Sequence, residues 1–569
     1  EPDYVAGIND LIDQTIDEYC DMICHGKLWE LMKIRIKEFS IKYCHMRSKQ
    51  RRDEVSFLEN KINLLDSSIH VSEHNTTELI SERKLLKAKL DLLYNNETRG
   101  AKVRARVNCF YDGSNEFNFY KGMENRRQAY NCIESLKDHD VTFDTDEDIL
   151  NYARSFYVKL YSSTNPSING IKEYLNDVIP HNVLSEESKM MCEGLVSVEE
   201  CEQVLQIMKD NKSPGLDGLP IEFYKKFWQK LNLLIVNMYN ESFVRGELPS
   251  SLRNAVMSLI FKKGDTELIT NYRPISLTNL DYRIIAFVLS QRLQKVIGNI
   301  VGPDQTAYIR NRFIGTNVRL VEDIIDYYDT FKLDGLLLCL DFKKAFDTLE
   351  WDFLFEVLSL FNFGEDFKQW VKTLYNKPTA CIKNNGHISD DLEIKRGIRQ
   401  GCPVSSLLFI LCIEILAAKL HQNELIKGMT VKNLSRKLKI VQYADDGTLF
   451  LNNAQELEEA IKVITLFGKF AGTKLNLEKC EGLWLGNLKH KQIDCNLLGM
   501  KWPCQPIRYL GIYIGHDKDQ CRNKNWDEKL AKLESFLEKW KYINLTLFGK
   551  VNFIKSHAMS QLIYSATCL

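Results

Sequence analysis

Three aspartates in this sequence have the residue type and placement needed for metal-assisted chemistry. Asp445 and Asp446 are adjacent in "VQYADDGTL" (441–449), and Asp341 follows an apolar run at 336–340. Carboxylate oxygens with no histidine or cysteine nearby favour a hard ion such as Mg²⁺ over zinc. Two such ions about 4 Å apart can assist an in-line displacement by activating a 3′-hydroxyl and stabilising the leaving pyrophosphate. These residues therefore indicate nucleotidyl transfer.

The elements that must position these acids are a buried strand and a β-hairpin. The apolar run at 336–340 is typical of a strand buried on both faces, and Asp341 ends it. Residues 439–451 form two β-prone runs around Ala-Asp-Asp-Gly, in which Asp-Gly is a strong hairpin signal. If the hairpin lies beside the strand, the three carboxylates meet. Taken alone, Asp445 and Asp446 could instead be turn formers, because aspartate tolerates left-handed backbone.

Length and composition indicate a globular chain of several domains. The 569 residues exceed the size of one hydrophobic core, and 44% of them are hydrophobic and 27% charged. A formal net charge of -1 argues against a uniformly basic nucleic-acid binder. The 16 scattered cysteines predict reduced thiols inside a cell, and "CDMIC" (20–24) lacks the second pair of a zinc finger. We expect no membrane span, and the start at Glu1 suggests a fragment or a processed piece.

Two helical segments near the N-terminus predict an antiparallel helical hairpin. Residues 28–66 and 79–93 carry leucines and isoleucines at helical spacing, with a polar connector between them. The hairpin can be a structural stalk or a binding element. The basic "RGAKVRAR" (99–106) and the aromatic-rich "FNFYKGMENRRQAY" (117–130) can contact bases and phosphates, or form a packing edge with solvated charges.

Further along the chain, cations lie near the ends of predicted elements. "AVMSLIFKKG" (255–264) predicts a strand, Arg273 lies in a predicted loop, and an amphipathic helix with Arg292 on its polar face follows. Arg273 and either Lys262 or Lys263 can converge on a phosphate. Ordinary surface cations near turns are the alternative.

An ordered series of motifs resembles the reverse transcriptase of non-LTR (LINE-type) retrotransposons. The order and spacing of the motifs make the resemblance specific, and it is strongest over residues 200–515. The motifs are "NKSPGLDGLPIEFYKKFW" (211–228), "NYRPISLTNLDYRIIAFVLSQRL" (271–293), "QTAYIRNR" (305–312), "CLDFKKAFDTLEWDFL" (339–354), "GIRQGCPVSSLLFILCIEIL" (397–416), "QYADDGTLF" (442–450), "GTKLNLEKC" (472–480) and "RYLGIYIG" (508–515).

The resemblance implies roles for individual residues. Asp341, Asp445 and Asp446 match the family's catalytic metal-binding triad. Phe346 matches the residue that excludes ribonucleotides by blocking the 2′-hydroxyl, and Lys479 matches the lysine near the pyrophosphate, with Lys474 as a competitor. The full set of implied nucleotide-binding residues is Lys262, Lys263, Arg273, Phe346, Gln400, Gly401 and Lys479.

The resemblance also implies contacts with nucleic acid. "YLGIYIG" matches a hairpin that grips the primer, and the basic segment 99–106 would help to hold template RNA. The implied nucleic-acid-binding residues are Arg99, Lys102, Arg104, Arg106, Gln305, Arg312, Leu510 and Gly511.

The fold implied is α+β, a right-hand polymerase with fingers, palm and thumb, an antiparallel palm sheet and a preceding long helical hairpin. The expected domains are a helical N-terminal extension (1–98), an RNA-binding N-terminal extension (99–200), fingers (201–330), a palm with the catalytic acids (331–515) and a partial thumb (516–569).

The function implied is RNA-directed DNA polymerase activity with two Mg²⁺ ions, for which Mn²⁺ could substitute. The expected partners are template RNA, a DNA primer at the target site and dNTPs, with no membrane; target-primed synthesis would place the protein in a cytoplasmic ribonucleoprotein and in the nucleus. The native protein is expected to carry an endonuclease domain that this chain lacks. Alternatives are a group II intron maturase, a palm-based RNA polymerase or cyclase, and an inactive RNA-binding scaffold.

Overall fold

The computed structural model describes residues 1–71, 76–105, 116–130, 132–432, 436–490, 499–503, 506–540 and 546–569. The helices are α1 (Pro2–Tyr19), α2 (His25–Val71), α3 (Thr76–Ala105), α4 (Glu116–Tyr130), α5 (Asp146–Tyr161), α6 (Ile168–Asn176), α7 (Glu186–Met190), α8 (Val198–Ile207), α9 (Ile221–Arg245), α10 (Ser250–Arg253), α11 (Leu280–Ile300), α12 (Ile314–Thr330), α13 (Ala345–Thr348), α14 (Trp351–Leu360), α15 (Glu365–Leu374), α16 (Ser405–Gln422), α17 (Ala454–Ala471), α18 (Lys518–Trp540), α19 (Leu547–Phe553) and α20 (Ser560–Cys568).

The strands are β1 (Leu136–Asp138), β2 (Val141–Phe143), β3 (Asn254–Phe261), β4 (Tyr272–Thr278), β5 (Gly335–Leu340), β6 (Thr379–Asn384), β7 (His387–Ile388), β8 (Leu392–Glu393), β9 (Ile440–Tyr443), β10 (Asp446–Leu451), β11 (Glu481–Leu485), β12 (Ile507–Tyr509) and β13 (Ile512–Ile514). Short 3₁₀ turns span Ile269–Asn271, Leu477–Lys479 and Gly486–His490, and a π-helical turn spans Ile554–Met559. The fold therefore mixes helices and sheets, as the sequence predicts.

The central sheet has the strand order β11-β5-β10-β9 and is antiparallel throughout. Strand β5 lies between two neighbours and is buried on both faces, because Leu336 and Leu338 pack into one hydrophobic cluster and Leu337 into another. This confirms the buried strand predicted from the apolar run. A strand held in this way gives the residue that follows it a fixed position.

A second sheet has the strand order β4-β3-β6-β7 and corrects one prediction. Arg273 does not lie in a loop: it lies in strand β4, paired with Ile260 of β3. Pro274 is compatible with this position because β4 is an edge strand. The strand was missed because, after Tyr272, its inward positions are Pro274, Ser276 and Thr278 rather than large apolar residues.

Helix α11 corrects another prediction, because it is a core helix rather than an amphipathic one. Most of its residues are buried, and Arg292 is only 5% exposed. The Arg292 guanidinium pairs with Glu200 at 2.7 Å and donates to backbone carbonyls of residues 192–195. A buried cation with this many acceptors is compatible with a core position.

The predicted helical hairpin is present, but its first helix has two roles. The N-terminal part of α2 packs into the main core through Leu28, Trp29 and Met32. The C-terminal part pairs with α3 around a small separate cluster that contains Leu58 and Leu86. The predicted segment 1–98 is therefore divided between the core and the hairpin.

Within the described ranges, one helix, Ser405–Gln422, is long and apolar enough to cross a bilayer by length and composition. Within the protein, 72% of this 18-residue helix is buried. Burial against α11, α14 and α17 accounts for this composition, since a core helix is apolar on all sides.

Candidate active site

The central sheet brings two of the three predicted acids together. Gly447 of β10 pairs with Leu340 of β5, so one step further along the same register Asp446 lies opposite Asp341. Side chains directly opposite each other on antiparallel strands have Cβ atoms about 5 Å apart. Asp445 lies in the loop immediately before β10. The three acids thus lie at one end of the sheet, close enough for the charge of Asp341 to act on both Asp445 and Asp446.

The hairpin that carries Asp445 has a loop that is shorter than the predicted Ala-Asp-Asp-Gly connection and lies within it. Tyr443 pairs with Asp446, so the two-residue loop is Ala444-Asp445, whereas the Asp-Gly pair belongs to strand β10. Ala444 has φ of 56°, a left-handed conformation that is uncommon for a residue with a Cβ atom. The predicted hairpin is therefore present, and the first two residues of Ala-Asp-Asp-Gly form its loop while the last two begin β10.

Burial and neighbouring acids raise the pKa of Asp445 and of Asp446. Loss of hydration raises the pKa of Asp445, and the charge of Asp341 adds to this effect. The pKa of Asp446 rises to about 6, first through loss of hydration and then through the charges of Asp445 and Asp341. The site therefore concentrates negative charge that a cation would relieve.

Asn476 holds Asp341 in place, and the sequence analysis missed it. Its side-chain Nδ2 donates to Asp341 Oδ2 at 3.0 Å, and its backbone N–H donates to the Asp341 carbonyl at 2.7 Å. Asn476 lies in the "GTKLNLEKC" segment, in which the resemblance implies a role only for a lysine, Lys479 or Lys474. No spacing rule links it to Asp341, because 135 residues separate the two.

The predicted cations Lys262 and Arg273 lie within electrostatic reach of the acids. Burial, together with the charge of Arg273, lowers the pKa of Lys262, while Asp341 and Asp445 oppose this shift. Lys262 directly follows β3, and its backbone N–H donates to the Asn271 carbonyl at 2.9 Å. Of the two adjacent lysines, Lys262 is the one whose charge is coupled to the acids in this way.

Lys344 is a further cation at this site that sequence reasoning missed. Its backbone is left-handed (φ 48°), and its Nζ donates to the Tyr272 carbonyl at 3.2 Å. Burial lowers the pKa of Lys344; Asp347 opposes this shift, and the charges of Lys479 and Lys262 add to it. A half-buried lysine held near two other lysines is arranged to receive an anion.

Phe346 and Gln400 are both fixed by neighbouring side chains. The Phe346 ring stacks on Phe409 with centroids 4.4 Å apart. Gln400 Nε2 donates to Asp347 Oδ1 at 2.9 Å, and the Tyr161 hydroxyl donates to the same oxygen at 3.1 Å. Burial raises the pKa of Asp347 to about 6. Helix α5 therefore reaches the shell of residues around the predicted nucleotide site.

Gly401 needs the conformational freedom of glycine. Its φ is 103°, and a Cβ atom there would lie 3.2 Å from the Ser276 carbonyl oxygen. The backbone of Gln400 and Gly401 thus approaches strand β4 closely, and the Ser276 N–H donates to the Gln400 carbonyl at 3.0 Å.

Two lysines are candidates for the position near the pyrophosphate. Both Lys474 and Lys479 have exposed side chains.

Two residues expected to contact nucleic acid instead contact the protein's own backbone. Gln305 is fully buried and bonds Ala444 in the catalytic hairpin. Arg312 donates to the carbonyls of Gly302, Gln305, Gly298 and Val301, at the end of helix α11. The Gln305 contact joins residues 139 positions apart, and a motif match does not reveal it.

The other predicted nucleic-acid contacts lie at the two ends of the chain. Leu510 and Gly511 form the two-residue turn between β12 and β13, with φ of 45° and 85°. In α3, Arg99 is exposed and Arg104 pairs with Glu124 at 2.9 Å. Lys102 lies 5.7 Å from the Tyr120 ring centroid. Arg106 lies outside the described residues.

The acids fit a divalent cation that substrate helps to bind. In the part of the chain that the structure describes, no three histidine, cysteine or carboxylate side chains form a preformed cage. Mg²⁺ in phosphoryl-transfer sites is usually held by one or two carboxylates, with substrate phosphates completing its shell. Asp341, Asp445 and Asp446 offer oxygen ligands of this kind, and their shared charge favours a cation.

Comparisons of the sequence with known proteins identify the family of this region. Residues 260–514 match the family of reverse transcriptases (RNA-dependent DNA polymerases). A "Transposon TX1 uncharacterized 149 kDa protein" from Xenopus laevis is 32% identical over 97% of this chain and 42% of its own length. A "Retrovirus-related Pol polyprotein from type-1 retrotransposable element R2" from Popillia japonica is 25% identical over 53% of this chain and 43% of its own length.

A "Retrovirus-related Pol polyprotein from type-2 retrotransposable element R2DM" from Drosophila melanogaster is 24% identical over 60% of this chain. The chain spans less than half the length of each of these three relatives. The family match covers all three acids as well as Lys262, Arg273 and Phe346. Residues 260–514 are therefore a reverse transcriptase domain of the non-LTR retrotransposon type.

Proposed function

We propose that this chain is the RNA-directed DNA polymerase of a LINE-type retrotransposon, which copies template RNA into cDNA from a DNA primer at the target site. The observation that carries the proposal is the register that places Asp446, at the start of β10, opposite Asp341, which directly follows β5, with Asp445 in the adjoining loop. Lys262 and Arg273 lie within electrostatic reach of these acids. Acids and cations in this arrangement suit a triphosphate and its metal ions.

The acids of this chain would hold divalent ions, for which we propose Mg²⁺ with Mn²⁺ as a possible substitute. Bound ions of this kind supply Lewis acidity for attack by a 3′-hydroxyl and for departure of pyrophosphate. Lys262, Arg273 and Lys344 neutralise the triphosphate charge. Phe346 restricts the space beside the sugar because Phe409 supports its ring.

The arrangement of elements supports a right-hand polymerase. The antiparallel sheet β11-β5-β10-β9 carries the acids and corresponds to a palm within 331–515. Lys262 directly follows β3 and Arg273 lies in β4; both strands fall within the proposed fingers, 201–330, whereas β6 and β7 of the same sheet fall within 331–515. The hairpin β12–β13 is followed by α18, which would begin a thumb at 516–569.

A primer-extension assay tests the proposal. The chain is given a DNA primer annealed to an RNA template, with Mg²⁺ and dNTPs, and the parent is compared with a variant that carries Asp445→Asn and Asp446→Asn. We expect extension by the parent and a loss of at least about 100-fold in the variant, because the metal ligands lose their charge.

A matched control comes from the other adjacent aspartate pair in the same domain. Asp390 and Asp391 are exposed and lie beside the second sheet. Changing both to asparagine should leave extension near the parental rate. Absence of extension by the parent would refute polymerase activity for this chain, and equal extension by the parent and the 445/446 variant would refute the metal site.

A further inference from the structure

A short segment before α12 pairs with the catalytic hairpin through one isolated β-bridge. The Gln442 N–H donates to the Asp304 carbonyl at 2.8 Å, and the Thr306 N–H donates to the Gln442 carbonyl at 3.0 Å. Gln305 and Gln442 thereby form a parallel bridge at the free edge of β9. The backbone of residues 304–306 is therefore in register with the strand that leads into the Ala444-Asp445 loop.

The Gln305 side chain reaches from this segment to both backbone groups of Ala444. The Ala444 N–H donates to Gln305 Oε1 at 2.9 Å, and Gln305 Nε2 approaches the Ala444 carbonyl oxygen at 3.4 Å. Gln305 Oε1 also accepts the Ala307 N–H at 3.0 Å, and the side chain is 0% exposed. An amide offers a donor and an acceptor at once, so one side chain can bond both the N–H and the C=O of a single turn residue.

Ala444 is the residue of the hairpin that most needs such support. Its φ of 56° brings its Cβ atom close to backbone, and residues other than glycine adopt this conformation only when their surroundings impose it. Asp445 directly follows Ala444, so the direction of the Asp445 carboxylate depends on the Ala444 backbone.

The segment that carries Gln305 is itself anchored on its outer side. Asp304 accepts from Arg436 at 2.8 Å and lies 2.6 Å from the His421 ring nitrogen. The Arg312 guanidinium donates hydrogen bonds to four backbone carbonyls within residues 298–305. A side chain mounted on such a support can hold a partner within a few tenths of an ångström.

We propose that Gln305 is a positioning residue for catalysis, which holds Ala444 in its left-handed conformation and so directs the Asp445 carboxylate toward the metal site. This inference rests on the proposed polymerase function. It goes beyond that function because it gives a buried residue outside the palm motifs control over the geometry of a catalytic acid.

The first test separates turnover from substrate binding. Gln305→Met keeps the volume of the side chain and removes both polar groups. We expect kcat for primer extension to fall about ten-fold or more, since two buried hydrogen bonds are lost, while the dNTP KM changes less than about two-fold. Gln294→Met is the matched control. Gln294 donates to the Tyr308 carbonyl, two residues after the segment 304–306, at 2.7 Å. The kcat of the Gln294→Met variant should stay near the parental value.

The second test is a double-mutant cycle with Ala444→Gly. Glycine adopts positive φ readily, so position 444 then depends less on the Gln305 hydrogen bonds to hold its left-handed conformation. The fold-loss caused by Gln305→Met should be at least about three-fold smaller in the Ala444→Gly background than in the parent. Equal losses in the two backgrounds would refute the proposed link between Gln305 and the Ala444 conformation. If Gln305→Met does not fold, Gln305→Asn, whose amide is one methylene too short to reach Ala444, takes its place in the same cycle.

A readout that does not depend on turnover completes the design. Mn²⁺ binding is followed by electron paramagnetic resonance on a complex with a dideoxy-terminated primer, RNA template and dNTP, in which no bond can form. We expect at least several-fold weaker Mn²⁺ binding in the Gln305 variant, whereas parental kcat and Mn²⁺ affinity would refute the inference while leaving the polymerase proposal standing. A parent chain that extends no primer would refute the polymerase function itself, and the Mn²⁺ comparison would still decide whether Gln305 positions the acid.

Discussion

At the residue scale, the site depends on side chains that are each held by a second residue. Asn476 holds Asp341, Phe409 supports Phe346, and Asp347 holds Gln400. Such supporting contacts fix a rotamer and so lower the cost of ordering it when substrate binds. The supporting residues should therefore affect substrate selection and turnover without contacting substrate.

Sugar selection should depend on Phe346. We expect Phe346→Val to raise the ratio of ribonucleotide to deoxynucleotide incorporation at least about ten-fold, because the ring no longer occupies the space of a 2′-hydroxyl. Single-nucleotide incorporation with matched rNTP and dNTP measures this ratio. Phe409→Leu, which removes only the support behind the ring, should give a smaller change, and an unchanged ratio in Phe346→Val would refute the role.

Triphosphate binding should depend on Lys344. We expect Lys344→Met to raise the dNTP KM about ten-fold, because a half-buried cation close to Lys262 and Lys479 is lost. Steady-state kinetics with a saturating primer and template measures the effect. The adjacent Lys343 is exposed, so Lys343→Met should change KM less than about two-fold. Equal effects of the two variants would show that Lys344 acts only as surface charge.

At the element scale, the sequence predicts those elements whose signal is local. The apolar run before Asp341 predicts strand β5, and the β-prone runs around Ala-Asp-Asp-Gly predict hairpin β9–β10; the structure contains both. Strand β4 is not predictable in the same way, because a proline and two hydroxyl residues occupy three of its four inward positions. The bonds from Asn476 and Gln305 are also beyond sequence patterns, since each joins residues more than 130 positions apart.

The hairpin β12–β13 should affect binding of the primer rather than of the nucleotide. The Tyr564 hydroxyl of α20 donates to the Leu510 carbonyl in the strained turn of this hairpin. We expect Tyr564→Phe to raise the KM for primer–template about three-fold or more and to leave the dNTP KM unchanged, because the turn loses one anchor. Tyr513→Phe removes a hydroxyl of the same hairpin that bonds exposed Glu528 and should have little effect. Parental primer affinity in Tyr564→Phe would contradict the expectation.

At the scale of the whole molecule, several carboxyl groups are buried where they resist ionisation. Burial raises the pKa of Glu414 in core helix α16 to about 8, and burial with the nearby charge of Asp281 raises that of Asp217 to about 7. Both pKa values are higher in the folded protein than in the unfolded chain, so folding takes up protons between the ordinary carboxyl pKa of about 4 and these values. Their contribution to stability is fully present below about pH 4 and is lost as the pH rises from there through about 7 to 8.

The free energy of unfolding should therefore carry a pH dependence that Glu414 partly sets. We expect Glu414→Gln to reduce its slope between pH 6 and pH 8 by up to about 1.4 kcal/mol per pH unit, the value for one proton. Glutamine still accepts the Gly302 N–H, which lies 2.9 Å from the Glu414 carboxylate. Urea unfolding at several pH values measures the slope. Exposed Glu424→Gln should follow the parent, and identical slopes for the parent and Glu414→Gln would contradict the expectation.

Helix α2 also has a mechanical consequence. It is one continuous helix of 47 residues, about 70 Å long, whose N-terminal part lies in the core and whose C-terminal part forms the hairpin with α3. At the core end, the Trp29 Nε1–H and the Lys33 ammonium both donate to Asp281 at 2.8 Å, at the start of α11. The long helix therefore couples its two ends mechanically. A force on the α2–α3 hairpin would exert a torque on α11, the core helix that precedes the segment 304–306 with Gln305.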